Sequence, residues 1–231
     1  VTQGEVVDFS VPQRALASRV SEVLTAYERL VLTFIEWAHP SWLTPYEPLI
    51  HALRKEVHAG KLAHAIMHTR ADHPADSVMR VGLDPAELEL AWVGPDDIAI
   101  LCLLRALFHR RTEIRRLIDK RSLLHLQSLA PMQVVDYLRE IPGATELSTQ
   151  MDDRSMDPLI AMQRNALQWE GMCLLLREHQ RSIGLASLWR FNFDRALSIP
   201  VWIARLTGPA EREGGQRFAE IAISLRGLMK C

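Results

Sequence analysis

At 231 residues with 48% hydrophobic content, the chain has apolar material for one sizeable core. Its 27 Lys and Arg against 28 Asp and Glu leave a formal net charge of −1, which excludes the strong positive excess of a general nucleic-acid binder. Cys102, Cys173 and Cys231 are odd in number and far apart, so they make neither a disulfide framework nor a zinc spacing.

Free thiols in a reducing cytosol are the simple expectation. The first residues lack the basic-then-apolar layout of a signal peptide. The longest apolar run, Ile98–Leu104, is too short to span a bilayer. The expectation is a soluble cytoplasmic protein with no direct membrane insertion.

In chain order, residues 1–9 have little to anchor them and are expected to be flexible. Ser10 and Gln13 resemble a capping box. From Leu16 through Val20, Val23, Leu24, Tyr27, Leu30, Val31 and Phe34, apolar residues recur at three- and four-residue steps. That spacing predicts an amphipathic helix ending near Trp37, with Pro40 just beyond it. Residues 38–50 contain Pro40, Pro45 and Pro48, so an ordered turn is expected, its Trp42 and Leu43 plugging the core. A helix from Tyr46 or Glu47 towards His58, bent near Gly60, and a stretch over Leu62–His68 follow.

Arg70–Gly82 reads as a loop, and Asp84-Pro85-Ala86-Glu87 as a helix start. That helix ends by Gly94. Pro95–Pro131 is the organising segment, with its apolar half, Ile98–Leu107, at the centre of the fold. Asp96 and Asp97 lie where the helix macrodipole favours negative charge. Ser122–Leu129 and Met132–Leu138 are two short helices parted by Pro131. Residues 141–156 are a long loop. Asp157-Pro158 starts a long buried helix to about Gln180, and Gly184 ends it. The aromatic stretch 185–200 is irregular, and 207–215 is a second long loop. A last helix begins after Pro209 or after Gly214-Gly215 and runs to Lys230. With no alternating β-branched runs, the expected fold is all-α: a single compact multi-helix domain over 1–231, around a buried central helix, with no sheet of consequence.

Chemistry is harder to find. His64, His68 and Asp72 fall on one helical face, and two histidines with a carboxylate can hold zinc or iron. No glutamate flanks the first histidine as a zincin needs, and partly solvated helix histidines are the plainer reading. There is no GxSxG elbow and no glycine-rich phosphate loop. Asp152, Asp153 and Asp157 do not match a calcium loop. Against Glu113 and Asp119 alone stand Arg105, Arg110, Arg111, Arg115, Arg116, Lys120 and Arg121. They read either as a solvated face or as a docking surface for an acidic partner, since guanidinium pairs bidentately with carboxylate. Of the six tryptophans, Trp37 and Trp169 sit on apolar stripes; Trp189 and Trp202 are core or interface anchors. The candidate partner-binding residues are thus Arg110, Arg111, Arg115, Arg116, Lys120, Trp189 and Trp202. No residue is assigned to catalysis, to a cofactor or to a metal.

Leu101-Cys102, then His109, then Ile114-Arg115-Arg116, then the leucine-rich Leu123–Leu129 resemble the central segment of the K proteins of bacterial type III secretion systems, the SctK family. Ala38–Leu43 and Arg190–Pro200 are similar to that family's early and late segments. The resemblance implies a non-enzymatic adaptor of the cytoplasmic sorting platform, acting in protein transport and virulence. It implies two partners: the cytoplasmic domain of the inner-membrane ring protein, and the pod protein that carries the ATPase complex. It places the chain at the cytoplasmic face of the inner membrane through those partners. The alternatives are a metal-dependent helical enzyme using His64, His68 and Asp72, or a free helical chaperone or regulator.

Overall fold

The computed structural model describes residues 18, 21–22, 25, 28–52, 59–68, 94–141, 156–178, 188–205 and 210–229. All regular structure among them is helical, so the fold is all-α. Residues 1–9, the Ser10 cap, the 70–82 loop, the Asp84 helix start and all but the ends of the 141–156 loop lie outside the described residues.

The first helix is interrupted. Residues 28–32 are helical, Thr33 turns, and α1 (Phe34–Trp37) resumes. The Thr33 hydroxyl donates back to the Arg29 carbonyl at 2.9 Å, a bond that competes with the backbone ladder and bends helices. His39 caps α2 (Pro40–Leu43): its Nδ1 accepts from the Ser41 amide at 3.2 Å, and Pro40 takes the first turn. A 3₁₀ turn over Thr44–Tyr46, α3 (Glu47–Ala52) and α4 (Ala59–His68) follow.

Trp42 is the expected plug, and the core it fills is made with the far end of the chain. Its Nε1 donates to the Phe193 carbonyl at 2.7 Å, and the His39 amide donates to the Phe191 carbonyl at 2.8 Å. Phe34, Trp42 and Phe191 meet edge to face. With Leu30, Val31, Leu62, Ile66 and Leu188 they form one apolar cluster.

The larger cluster surrounds α5 (Pro95–His109), in which every residue from Leu101 to Phe108 is buried. A helix apolar on all sides has to be covered on all sides. α6 (Arg111–Arg116), α7 (Lys120–Leu129), α8 (Met132–Glu140), α9 (Arg164–Glu178), α10 (Val201–Arg205) and α11 (Ala210–Met229) are the remaining helices. α9 is the main cover of α5. The two backbones touch at Gly171, where an added Cβ would lie 1.7 Å from the Cys102 carbonyl oxygen. α11 covers another side, with Phe218 5.7 Å from Phe108 and Arg226 paired to Asp97.

Three boundaries differ from the sequence expectation. The part of the organising segment before the expected Ser122–Leu129 helix is two helices, α5 and α6, because Arg110 leaves helical geometry, and Leu117 is extended beyond them. Asp119 then starts α7 by accepting from the Ser122 amide at 3.0 Å and from its hydroxyl. The helix expected from Asp157-Pro158 is a 3₁₀ turn, Leu159–Ala161, followed by a break before α9. Finally, of the two starts expected for the last helix the one after Pro209 is found, so residues 210–215 of the expected 207–215 loop are the first turns of α11, Gly214 and Gly215 included. No helix among the described residues is long and apolar enough to cross a membrane.

Candidate functional site: an arginine run and an acidic cleft

The arginine run does not form one face. Arg105, Arg110 and Arg111 are buried, Arg115 is half-buried, and Arg116, Lys120 and Arg121 are exposed. Arg110 stands where α5 ends. Its Nε and Nη2 donate to the two carboxylate oxygens of Glu170 at 2.6 and 2.7 Å. Its Nη1 reaches Glu113 at 3.1 Å and the Asp157 carbonyl at 2.9 Å. Glu113 in turn accepts from the Leu159 amide at 2.6 Å. One guanidinium therefore binds α5, α6, α9 and the 3₁₀ turn together. Burial works against the Arg110 charge, but Glu170 and Glu113 more than offset it and hold its pKa above the ordinary value. Burial pushes the Glu170 carboxyl up, against the pull of Arg110. The fork geometry keeps both groups charged.

Arg111 donates to the Phe108 carbonyl at 2.8 Å and lies over the Phe108 ring at 4.3 Å. Burial, then Arg115, Arg105 and Arg217, lower its pKa to about 10. Arg105 lies 5.8 Å and 5.5 Å from the Phe108 and Phe218 ring centres. Arg115 Nε donates to the Arg139 carbonyl at 2.8 Å, and Arg139 donates to the Leu117 carbonyl at 2.7 Å. The two arginines thus satisfy the carbonyl ends of each other's helices. The expectation that Arg110 and Arg111 face a partner is corrected: the core consumes them.

What remains outside is the corner between α6 and α7. Arg116, Lys120 and Arg121 surround Ile118, which is 80% exposed. Asp119, the one acid in the sequence from Arg116 to Arg121, is committed to its cap, and the bonds from Ser122 hold its carboxyl below the usual range.

Trp189 is buried in the larger cluster, so the core half of its reading holds. Trp202 is also buried; its ring stacks on His109 at 5.0 Å and forms a wall of an open cleft of about 740 Å³. Asp157, Glu170, Asn192, Asp194 and Leu197 also line the cleft. Burial, then the charges of Arg105, Arg110 and Arg111, lower the His109 pKa to about 3. The imidazole is therefore neutral against the tryptophan. The Cys102 thiol is pushed well up by burial, and Cys173 reaches about 12 for the same reason, so neither is a reactive thiolate.

Arg190 was not singled out by sequence reasoning. It packs over Trp169 at 4.2 Å and Trp42 at 5.2 Å, and donates to the carbonyls of Phe193, Asp194, Arg195 and Leu197. The readable signal was an irregular aromatic stretch whose carbonyls need donors, with an arginine at its head. Of the candidate metal trio, His64 and His68 stand one turn apart on α4, and Asp72 lies outside the described residues. Among the described residues no three His, Cys, Asp or Glu side chains gather as ligands.

The fold and its chemistry define an all-α protein whose interior charges bind helices to one another. The family model of the bacterial type III secretion protein HrpB4 matches residues 14–224. The chain belongs to this family and is a type III secretion protein. No curated protein and no solved structure matches it.

Proposed function

We propose that this chain is a non-enzymatic adaptor of the type III secretion sorting platform, of the K-protein kind. It links the cytoplasmic domain of the inner-membrane ring protein to the pod protein, at the cytoplasmic face of the inner membrane. The observation that carries this reading is the match to a type III secretion family over residues 14–224. The engagement of Arg110, Glu113 and Glu170 with one another supports it, since those charges stiffen the helical body. The α6–α7 corner supports it too: exposed cations around an exposed isoleucine suit an acidic partner surface with an apolar socket. This replaces the wider arginine face as the docking surface.

Affinity capture of the tagged chain from bacteria assembling the apparatus tests the reading. The ring protein and the pod protein are expected together in the eluate. Exported substrates in their place would make the chain a chaperone, and an eluate with neither set removes the adaptor reading.

A further inference from the structure

We propose that the cleft between α9 and residues 192–202 is a second docking site, which takes an extended partner segment bearing lysine or arginine among aliphatic residues. The first reason is charge. Among the described residues the cleft carries one arginine, Arg110, and its guanidinium is spent on Glu170, Glu113 and the Asp157 carbonyl. No lysine lines it. With Arg110 and Glu170 cancelling, the exposed Asp157 and the half-buried Asp194 leave the lining acidic, Asp194 also facing the charge of Arg190 and the imidazole of His39. A basic side chain is the complement of such a lining.

Shape is the second reason. Trp169 and Trp202 already carry Arg190 and His109 against their rings, so they are fixed apolar walls. One edge of the cleft is the irregular segment 197–200, which is held from inside. The Leu197 carbonyl accepts from Arg190 at 3.3 Å, and the Ser198 carbonyl accepts from Trp169 at 2.7 Å. Its outer side is open: the amides of Ser198 and Ile199 donate to no acceptor among the described residues. Leu197 and Ile199 stand 41% and 58% exposed along it, and Val201, 61% exposed, opens α10 just beyond. A pinned edge with unspent amides and alternate exposed aliphatic side chains is what an extended segment can lie beside.

This site lies apart from the α6–α7 corner and stands without the adaptor reading, because its chemistry accepts such a segment from any partner. The test uses the purified full chain and two fluorescein-labelled heptapeptides, one alternating valine with arginine and lysine, the other alternating valine with glutamate. Fluorescence anisotropy should show saturable, salt-weakened binding of the basic peptide and none of the acidic one. The double variant Asp157→Asn with Asp194→Asn keeps the oxygen that accepts from the Ala196 amide but removes both charges. It should bind the basic peptide about tenfold more weakly, a difference of about 1.4 kcal/mol. Val201→Ser, at an exposed rim position, should weaken binding without disturbing the fold. Arg116→Glu with Lys120→Glu should leave it unchanged. Absence of saturable binding, equal binding of the acidic peptide, or full affinity in the double asparagine variant overturns the proposal. None of these outcomes bears on which proteins are captured with the chain.

Discussion

Arg110 and Arg116 lie in one run of the chain and have opposite fates. The Arg110 side chain is 1% exposed and holds a carboxylate that is 2% exposed. Arg116 stands in solvent at the last position of α6. The difference lies in what packs above each. α9 brings Glu170 to the end of α5, while the turn after α6 leads the chain out to an exposed corner. A dense basic stretch is therefore no surface by itself; its members divide according to what packs over them, an acid for Arg110 and aromatic rings for Arg105 and Arg111. The energetics divide likewise. Removing one partner of a buried pair strands a desolvated charge, whereas an exposed charge contributes little to stability.

The contact that brings α9 over α5 is the first place to break this comparison. Gly171→Ala puts a methyl group into the Cys102 carbonyl, backbone against backbone. The expected loss is about 5 kcal/mol or more, the range of exceptional single substitutions. Urea denaturation followed by circular dichroism measures it. A loss below about 1 kcal/mol would mean that the two helices do not meet at this point.

Next comes Glu170→Ala, which leaves Arg110 buried beside one remaining acid, Glu113. Breaking a buried pair from one side costs about 3–5 kcal/mol. Removing both charges with Arg110→Met and Glu170→Leu should recover most of that loss, since hydrophobic replacement of a buried pair is often neutral. A double variant that loses more stability than Glu170→Ala alone would show that the two residues do not act as a pair.

The helix order was legible because its signals are local. Apolar steps of three and four, Pro131 between two helices, and Asp96-Asp97 at a helix start all act within a turn or two. The partners of the buried polar groups are not local. Glu170 is 60 residues from Arg110, and the Phe193 carbonyl is 151 residues from Trp42. No periodicity links such positions. A clue was present in α9, where Glu170 is an acid between Leu167, Trp169, Met172 and Cys173, all buried. A lone acid on an apolar stripe demands a cation. Asp119 was missed for another reason. Counted as one of two acids opposing the run, it is a cap, and the serine three residues on was the sign.

His109 offers a smaller effect with a definite sign. Its pKa lies near 6.5 in the unfolded chain and about 3 in the fold, so between these values the unfolded state binds the extra proton. Its contribution is unaffected above pH 6.5 and is lost progressively as pH falls towards 3. From pH 7 to pH 5 the expected loss is about 2 kcal/mol. His109→Phe keeps a ring against Trp202 and should remove that part of the slope. Taking the difference between the two proteins cancels the other titrations. Identical slopes would mean that the imidazole takes up its proton as freely in the fold as out of it.

The smallest change in stability is expected at the corner, and there it matters most for function. Arg116→Glu with Lys120→Glu alters exposed side chains outside the core, so unfolding free energy should move by less than about 0.5 kcal/mol. Capture of one secretion partner should nevertheless fall, and raising the salt should weaken that same partner in the unaltered protein, because exposed charges are screened. Ile118→Ser separates the two contributions: a corner that binds through a socket loses capture without losing its salt dependence. If both variants retrieve the same proteins as the parent chain, these cations serve solubility alone. The buried members of the run and the half-buried Arg115 would then carry its whole role, which is structural.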